Sequence, residues 1–320
     1  MDENLNPQSA AVAHGAVTWP EPPPRAVLIT GCSSGFGRLT ALTLARAGHQ
    51  VYASMRDTRT ANADEAEELR AIAAQENLTL EVVDIDVRDE RSVKEGTRLV
   101  HDRAGRIDVL VNNAGIYFPA ILETLTIADL QAVLDTNLFG SLRMNRAVLP
   151  FMRARRDGLI VQITSALGRL VMPFVGAYGA SKWALEATTE ILRYEVSKLG
   201  VDVVMVEPGA HPTDIIEPNG VAYYQEYLRG LDADDALRRA EYGDLARRAE
   251  VLLVENPEGA PQTIADAVAT LVRTPRGLRP VRVADPSVGT FLGPLNALSG
   301  GLQRQVMKQF GFEDMLSVEP

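Results

Sequence analysis

The chain has 320 residues, 46% hydrophobic and 23% charged, ordinary values for a globular protein with one large α/β domain or two small ones. With a mean hydropathy of -0.04, it contains no apolar run near the roughly 18 residues a membrane span requires, and the net charge of -10 argues against broad binding to a phosphate backbone. The single cysteine, Cys32, excludes an internal disulfide framework and suits a reducing compartment, so a cytoplasmic location is expected. One cysteine and four scattered histidines (His14, His49, His101, His211) give no zinc-type spacing, and no metal is expected.

Residues 1–25 hold five of the 18 prolines, including Pro22-Pro23-Pro24, and carry no helical or strand period. A flexible leader is expected there. It is not a secretory signal, because no Lys or Arg precedes Arg25 and no apolar core of about 7–15 residues appears. From Ala26 the pattern alternates short apolar runs with helical stretches. Strands are predicted at Ala26–Thr30, Val51–Ser54, Leu80–Val83, Val109–Val111, Leu159–Ile163, Val201–Val206 and Val281–Val283. Helices are predicted at about 36–47, ending at Gly48, and at 63–75, 90–103, 127–156 and 178–198. Continuous apolar strands alternating with helices imply a doubly wound parallel sheet covered on both faces, as one α/β domain over 26–285. A helical substrate lid is expected at about 214–250, and a helical tail over 286–320.

The first strand runs into Thr30-Gly31-Cys32-Ser33-Ser34-Gly35-Phe36-Gly37, and a helix follows. Glycines here permit a tight turn and let backbone N–H groups approach a pyrophosphate at the helix N-terminus. Alone such a turn is weak evidence; the strand before it and the helix after it strengthen it. The T-G-x-x-x-G-x-G spacing resembles the short-chain dehydrogenase/reductase superfamily in its single-domain branch, and implies a Rossmann-type fold. That resemblance makes Gly31, Ser33, Ser34, Gly35, Phe36 and Gly37 the pyrophosphate-side contacts. Asp86-Val87 resembles the pair that meets adenine, and Asn112-Asn113-Ala114-Gly115 resembles the N-N-A-G motif, giving Asn113, Ala114 and Gly115 as cofactor residues. Pro208-Gly209-Ala210-His211-Pro212-Thr213 resembles the P-G-x-x-x-T segment, in which Pro208, Gly209 and Thr213 would fix the nicotinamide carboxamide. The second strand ends in Ser54-Met55-Arg56-Asp57. A guanidinium at Arg56 suits the 2′-phosphate of NADP, so NADP(H) is the expected cofactor, while the neighbouring Asp57 leaves a ribose contact to NAD open.

Tyr178 and Lys182 stand four apart at the start of a helical stretch, so they share a face. With eight tyrosines and four lysines in the chain, a chance Tyr-x-x-x-Lys is expected about 0.1 times, which is suggestive and not decisive. A free tyrosine with a pKa near 10 is a poor proton exchanger at neutral pH, and a nearby ammonium favours its phenolate. Ser165 lies 13 residues before Tyr178, the family spacing, and its hydroxyl can hold a reacting oxygen; no G-x-S-x-G elbow marks it as a hydrolase nucleophile. By the same resemblance Asn137 is the fourth member of a tetrad, bending a helix and holding a water in a relay to Lys182, and Lys182 also binds the ribose. His211 is the weaker catalytic candidate, because Tyr178 already supplies the proton chemistry.

Val-Tyr-Ala-Ser-Met-Arg-Asp and Asp-Val-Arg-Asp, with the Gly-Cys-Ser-Ser-Gly turn and Asn256-Pro257-Glu258, are most similar to 17β-hydroxysteroid and retinol dehydrogenases. The resemblance implies hydride exchange between a ketone or aldehyde and an alcohol, with Ser165 and Tyr178 meeting the substrate. The long stretches 127–156 and 178–198 resemble the family's intersubunit helices, so a homodimer or homotetramer is expected. Tyr223, Tyr224, Tyr227 and Tyr242 in the lid, with Tyr117, Phe118, Met172 and Phe174, suggest a roomy apolar pocket, and the tail stripe Leu295, Leu298, Leu302, Val306 and Phe310 is placed to close it. The alternative account is that these side chains pack the lid and the core. Two rival functions stay open: a non-catalytic NADP(H)-binding regulator, and a sugar-nucleotide epimerase or dehydratase.

Overall fold

The computed structural model describes residues 22–254 and 259–318. Most of the expected leader, and the Asn256-Pro257-Glu258 segment, therefore lie outside the described residues. Seven strands, β1 (Ala26–Thr30), β2 (Gln50–Met55), β3 (Leu80–Asp84), β4 (Val109–Asn112), β5 (Gly158–Ile163), β6 (Val201–Glu207) and β7 (Arg282–Ala284), form one sheet in the order β3-β2-β1-β4-β5-β6-β7. Every pairing is parallel.

Helices α1 (Gly35–Arg46), α2 (Ala63–Gln75), α3 (Glu90–Ala104), α4 (Ile127–Leu134), α5 (Ser141–Arg155), α6 (Gly176–Val196), α7 (Asn219–Gly230), α8 (Ala233–Glu241), α9 (Asp244–Val254), α10 (Gln262–Arg273) and α11 (Gly289–Gln309) complete the chain. Strand periodicity splits the core into two layers. Val27 and Ile29 pack with α1, α2 and α10, whereas Leu28, between them in sequence, packs with α3 and α5. That two-sided burial is why the central strands read as continuous apolar runs. A third apolar cluster joins Tyr117, Phe118 and Val133 to Tyr224, Tyr227 and Leu253 of the lid.

The predicted helix over 127–156 is interrupted. Between α4 and α5 the chain takes a π-helical turn over Asp135–Gly140, which carries Asn137 inward. The last strand sits one residue later than predicted, α11 covers Gly289–Gln309 of the tail, and the segment expected to form a lid carries α7, α8 and α9. No helix of the described residues is long and apolar enough to cross a membrane.

Strand order reverses between β2 and β4 on either side of β1, which opens a crevice at the carboxyl ends of the strands.

Candidate active site

A cavity of about 820 Å³ occupies that crevice. At one end the β1–α1 turn is shaped by close approach. Gly31 has φ +70° and lies against the backbone of Ala114, and a Cβ at Gly37 would collide with the Gly31 carbonyl and the Asn113 amide. Asn113 Nδ2 donates to the carbonyls of Thr30 and Gly31, both at 2.9 Å. Thr30 Oγ1 in turn accepts from the backbone N–H groups of Asn113 and Ala114 at 3.0 and 3.1 Å. The two loops thus brace one another. Ser34, at the N-cap of α1, makes no side-chain capping bond, so the first N–H groups of α1 remain available at the cavity. An uncapped helix terminus beside a turn with no room for Cβ atoms fits a pyrophosphate.

Arg56 lines the cavity at the end of β2, with its side chain 41% exposed, 3.9 Å from Asp57 and 3.4 Å from the Tyr223 hydroxyl. A second guanidinium that sequence reading missed, Arg88, lines the same end and is forked onto Asp86 through Nε at 3.2 Å and Nη2 at 2.9 Å. Burial pushes the Asp86 carboxyl up, but its bonds from Arg88, with the more distant charge of Arg56, outweigh this and hold it below the usual carboxylate range. The available signal was Arg88's place in Asp86-Val87-Arg88-Asp89, two residues from a candidate carboxylate.

At the other end Ser165, Tyr178 and Lys182 all line the cavity. Ser165 lies two residues beyond β5, with its hydroxyl accepting from the Leu167 N–H at 3.1 Å. Tyr178 and Lys182 project from the first turns of α6, and the Lys182 Nζ sits 5.6 Å from the centre of the Tyr178 ring. The ammonium donates to the Ile163 carbonyl at 2.9 Å. Burial pulls the Lys182 pKa down to about 8, opposed by the negative charge of Glu186.

The Tyr-x-x-x-Lys spacing predicts that an adjacent ammonium favours the Tyr178 phenolate. In this structure the direction is the reverse: burial raises the phenol, and a hydrogen bond with Ser165 offsets only part of that rise. Lys182 itself loses charge stability by being buried beside it.

Asn137 does not line the cavity but stands directly behind it. Its Oδ1 accepts from the Ile116 N–H at 2.8 Å, and its Nδ2 donates to the Ile116 carbonyl and to Ser181 Oγ, both at 3.0 Å. It ties the segment after the N-N-A-G motif to α6. Gly37 likewise acts from outside the lining, by permitting the close turn. The other predicted residues, namely Gly31, Ser33, Ser34, Gly35, Phe36, Val87, Asn113, Ala114, Gly115, Pro208, Gly209 and Thr213, all face the cavity.

Several expectations for the substrate end need correction. Of the four lid tyrosines only Tyr223 lines the cavity. Tyr227 bonds Thr124 Oγ1 at 2.5 Å, Tyr224 bonds Glu250 at 3.0 Å and Tyr242 bonds Glu123 at 2.6 Å, so these three hold the lid together. Tyr117 and Met172 face the cavity, whereas Phe118 packs into the lid cluster and Phe174 is not among the lining residues. The α11 stripe does not close the pocket: Leu298, Leu302, Val306 and Phe310 are exposed, and the tail reaches the cavity only through Val288. His211 is buried rather than exposed, with Nε2 2.8 Å from Asp285 Oδ2 and its ring edge-on to Phe36 at 5.3 Å. Ile215, Ile216 and Leu252, which no sequence pattern singles out, also face the cavity.

A doubly wound parallel sheet with a glycine turn and a Ser-Tyr-Lys group facing one crevice is the architecture of nicotinamide-dependent oxidoreductases. The chain belongs to the short chain dehydrogenase family, whose profile matches residues 25–221. It is 35% identical over 256 residues to retinol dehydrogenase 8 of Bos taurus, spanning 79% of each chain. It is 36% identical over 255 residues to 17-beta-hydroxysteroid dehydrogenase type 1 of Homo sapiens, spanning 78% of this chain and 74% of that one. A solved short-chain dehydrogenase from Streptomyces avermitilis superposes with a TM-score of 0.67 at 30% identity, over 90% of this chain and 98% of its own.

Proposed function

We propose that the protein is an NADP(H)-dependent oxidoreductase that reduces a bulky hydrophobic ketone or aldehyde to the alcohol. The observation that carries this reading is the convergence of the Ser165 hydroxyl and the Tyr178 phenol on one cavity wall, with Lys182 beside them. A carbonyl oxygen placed between the two hydroxyls would accept a hydrogen bond from each, which stabilises the negative charge that grows on it. A bound nicotinamide supplies the hydride for the carbonyl carbon. Tyr178 then gives its proton to the oxygen, and the direction of its pKa suits this role, because a phenol kept protonated at neutral pH is the form that can donate. Lys182 limits the charge left on Tyr178 as the proton departs. Asn137 keeps Ile116 and α6 in register behind the reacting groups.

Arg56 supports NADP(H) as the cofactor, since its ion pair with Asp57 is long and leaves the guanidinium open to a phosphate. The substrate end of the cavity, bounded by Tyr117, Leu167, Met172, Ile215, Ile216 and Leu252, supports a large apolar substrate. The names of the two curated relatives point the same way. Exposed Phe139, Trp183 and Ile191, on the π-turn and α6, support a subunit interface there, and sedimentation at micromolar concentration should find a dimer or tetramer.

Tyr178→Phe is the test of mechanism. The variant should bind NADPH as the wild type does and lose nearly all turnover on an established substrate; retained turnover would overturn the proton assignment. A panel of steroid, retinoid, aryl and small polar carbonyls, assayed by NADPH oxidation, tests the pocket. Small polar substrates outperforming every bulky one in kcat/KM would refute the pocket reading alone.

A further inference from the structure

Behind Lys182 lies a buried ionic cluster that the proposed reaction does not use. Glu186 follows Lys182 by one helical turn on α6, and both side chains are nearly inaccessible, at 2% and 4% exposure. The two residues pack on the same glycine: a Cβ at Gly168 would touch Glu186 Cγ and the Lys182 carbonyl. Glu186 Oε2 is anchored by Arg282 Nε at 2.9 Å from β7, while Oε1 is buried with no hydrogen-bond partner.

The same guanidinium meets Glu190, one turn further along α6, at 2.5 Å and Glu207 of β6 at 3.4 Å. Asn296 of α11 donates to Glu207 at 2.6 Å, and the positive charge of Arg169, in the loop after β5, also acts on Glu190 and Glu207. Among the described residues, Arg282 is the one cation in ion-pair contact with these three carboxylates. Burial and the charge of Glu186 push Glu207 up to about 7. A buried carboxylate with one oxygen unpaired carries a desolvation cost that the single contact with Arg282 offsets only in part.

We propose that Glu186 is a positioning residue for the proton chemistry, its Arg282-anchored carboxylate sustaining the ammonium of Lys182 beside Tyr178. This rests on the reading of Tyr178 and Lys182 as the proton-handling pair. The groups facing Lys182 on its own helix are Tyr178 and Glu186, and from β5 it meets only the Ile163 carbonyl. Glu186 therefore offsets the burial that draws the lysine toward neutrality.

The sign of its removal is the same for both partners. Without the Glu186 charge, Lys182 releases its proton more readily, and so does the Tyr178 phenol. The apparent pKa that closes the alkaline side of the reduction rate then falls whichever member of the pair it reports.

The experiment is the pH dependence of kcat/KM for carbonyl reduction by the full-length protein with NADPH. Glu186→Gln should move the alkaline limb about one pH unit lower, the order expected of a unit charge one helical turn away across partly screened protein. Glu190→Gln removes a carboxylate from the same arginine but stands two turns from Lys182, so its limb should coincide with the wild type, and Glu186→Asp should recover most of the shift. If Glu186→Gln does not fold, Glu186→Met supplies a neutral side chain of similar length and must move the limb in the same sense. A wild-type limb in the folded neutral variant, or an equal shift in Glu190→Gln, overturns the inference. Retained turnover in Tyr178→Phe would instead overturn the reading beneath it, so the two failures are distinguishable.

Discussion

Removing the Arg56 guanidinium should discriminate between the two nicotinamide cofactors. Arg56 is held only loosely: its ion pair with Asp57 spans 3.9 Å and its contact with the Tyr223 hydroxyl 3.4 Å. Arg88, the other guanidinium at this end, is occupied by its two-point contact with Asp86. A hydrogen bond to a charged group contributes roughly 1.5–3 kcal/mol, and screening at a side chain this exposed brings that down to about 1–2 kcal/mol. Arg56→Ala should therefore weaken NADPH by about 5- to 30-fold while changing NADH by no more than about twofold. Calorimetric or fluorescence titration of each cofactor gives both constants. Arg88→Ala is the internal comparison, since releasing Asp86 from its partner should weaken NADPH and NADH alike. Equal losses for the two cofactors in Arg56→Ala would refute the 2′-phosphate role and return Asp57 as the selecting group.

Gly37→Ala should lower the melting temperature by several degrees and abolish cofactor binding, because its Cβ meets the Gly31 carbonyl and the Asn113 amide, and overpacking against backbone costs about 1–3 kcal/mol. Gly179→Ala, with open space around its would-be Cβ inside α6, should be neutral to slightly stabilising in the same melt. Asp108 is fully buried and accepts bonds from the Ala26 N–H at 2.9 Å, Arg106 at 2.6 Å and Arg155 at 2.7 Å. Burial pushes its pKa up, but these partners prevail and hold it below the usual range. Its stabilisation is thus complete above an unfolded value near 4 and is lost as pH falls through the lower folded value. Asp108→Asn should cost about 1–3 kcal/mol at pH 7 in denaturant titration and flatten the loss of stability below pH 4; an unchanged acid limb would refute this account.

The parts legible in the sequence are those where one chain segment carries the whole signal. Val27-Leu28-Ile29 reads as a strand because each residue is buried on one face or the other of a parallel sheet, so the apolar run needs no partner to be recognised. The β1–α1 turn is legible as glycine spacing between a strand and a helix, although the contact that requires Gly31 is with Ala114 of a distant loop and only the approach of Gly37 to the Gly31 carbonyl is local. Tyr178 and Lys182 come together through helical geometry alone.

Features decided by a distant segment were not legible. The hydroxyls of Tyr224, Tyr227 and Tyr242 bond Glu250, Thr124 and Glu123, and no local pattern says that Tyr223 alone among the four turns to the cavity. His211 reads as a loop histidine until Asp285, 74 residues on, is brought against it. The direction of the Tyr178 pKa belongs to the same class. Spacing predicts which charge is near, but burial is the larger influence here, and it is set by the surrounding fold rather than by the four-residue interval. The sequence motif therefore identifies the groups proposed to exchange the proton, while the packing around α6 shifts their pKa values. That is why a carboxylate outside the motif, Glu186, should move the rate profile when removed, although it does not touch substrate.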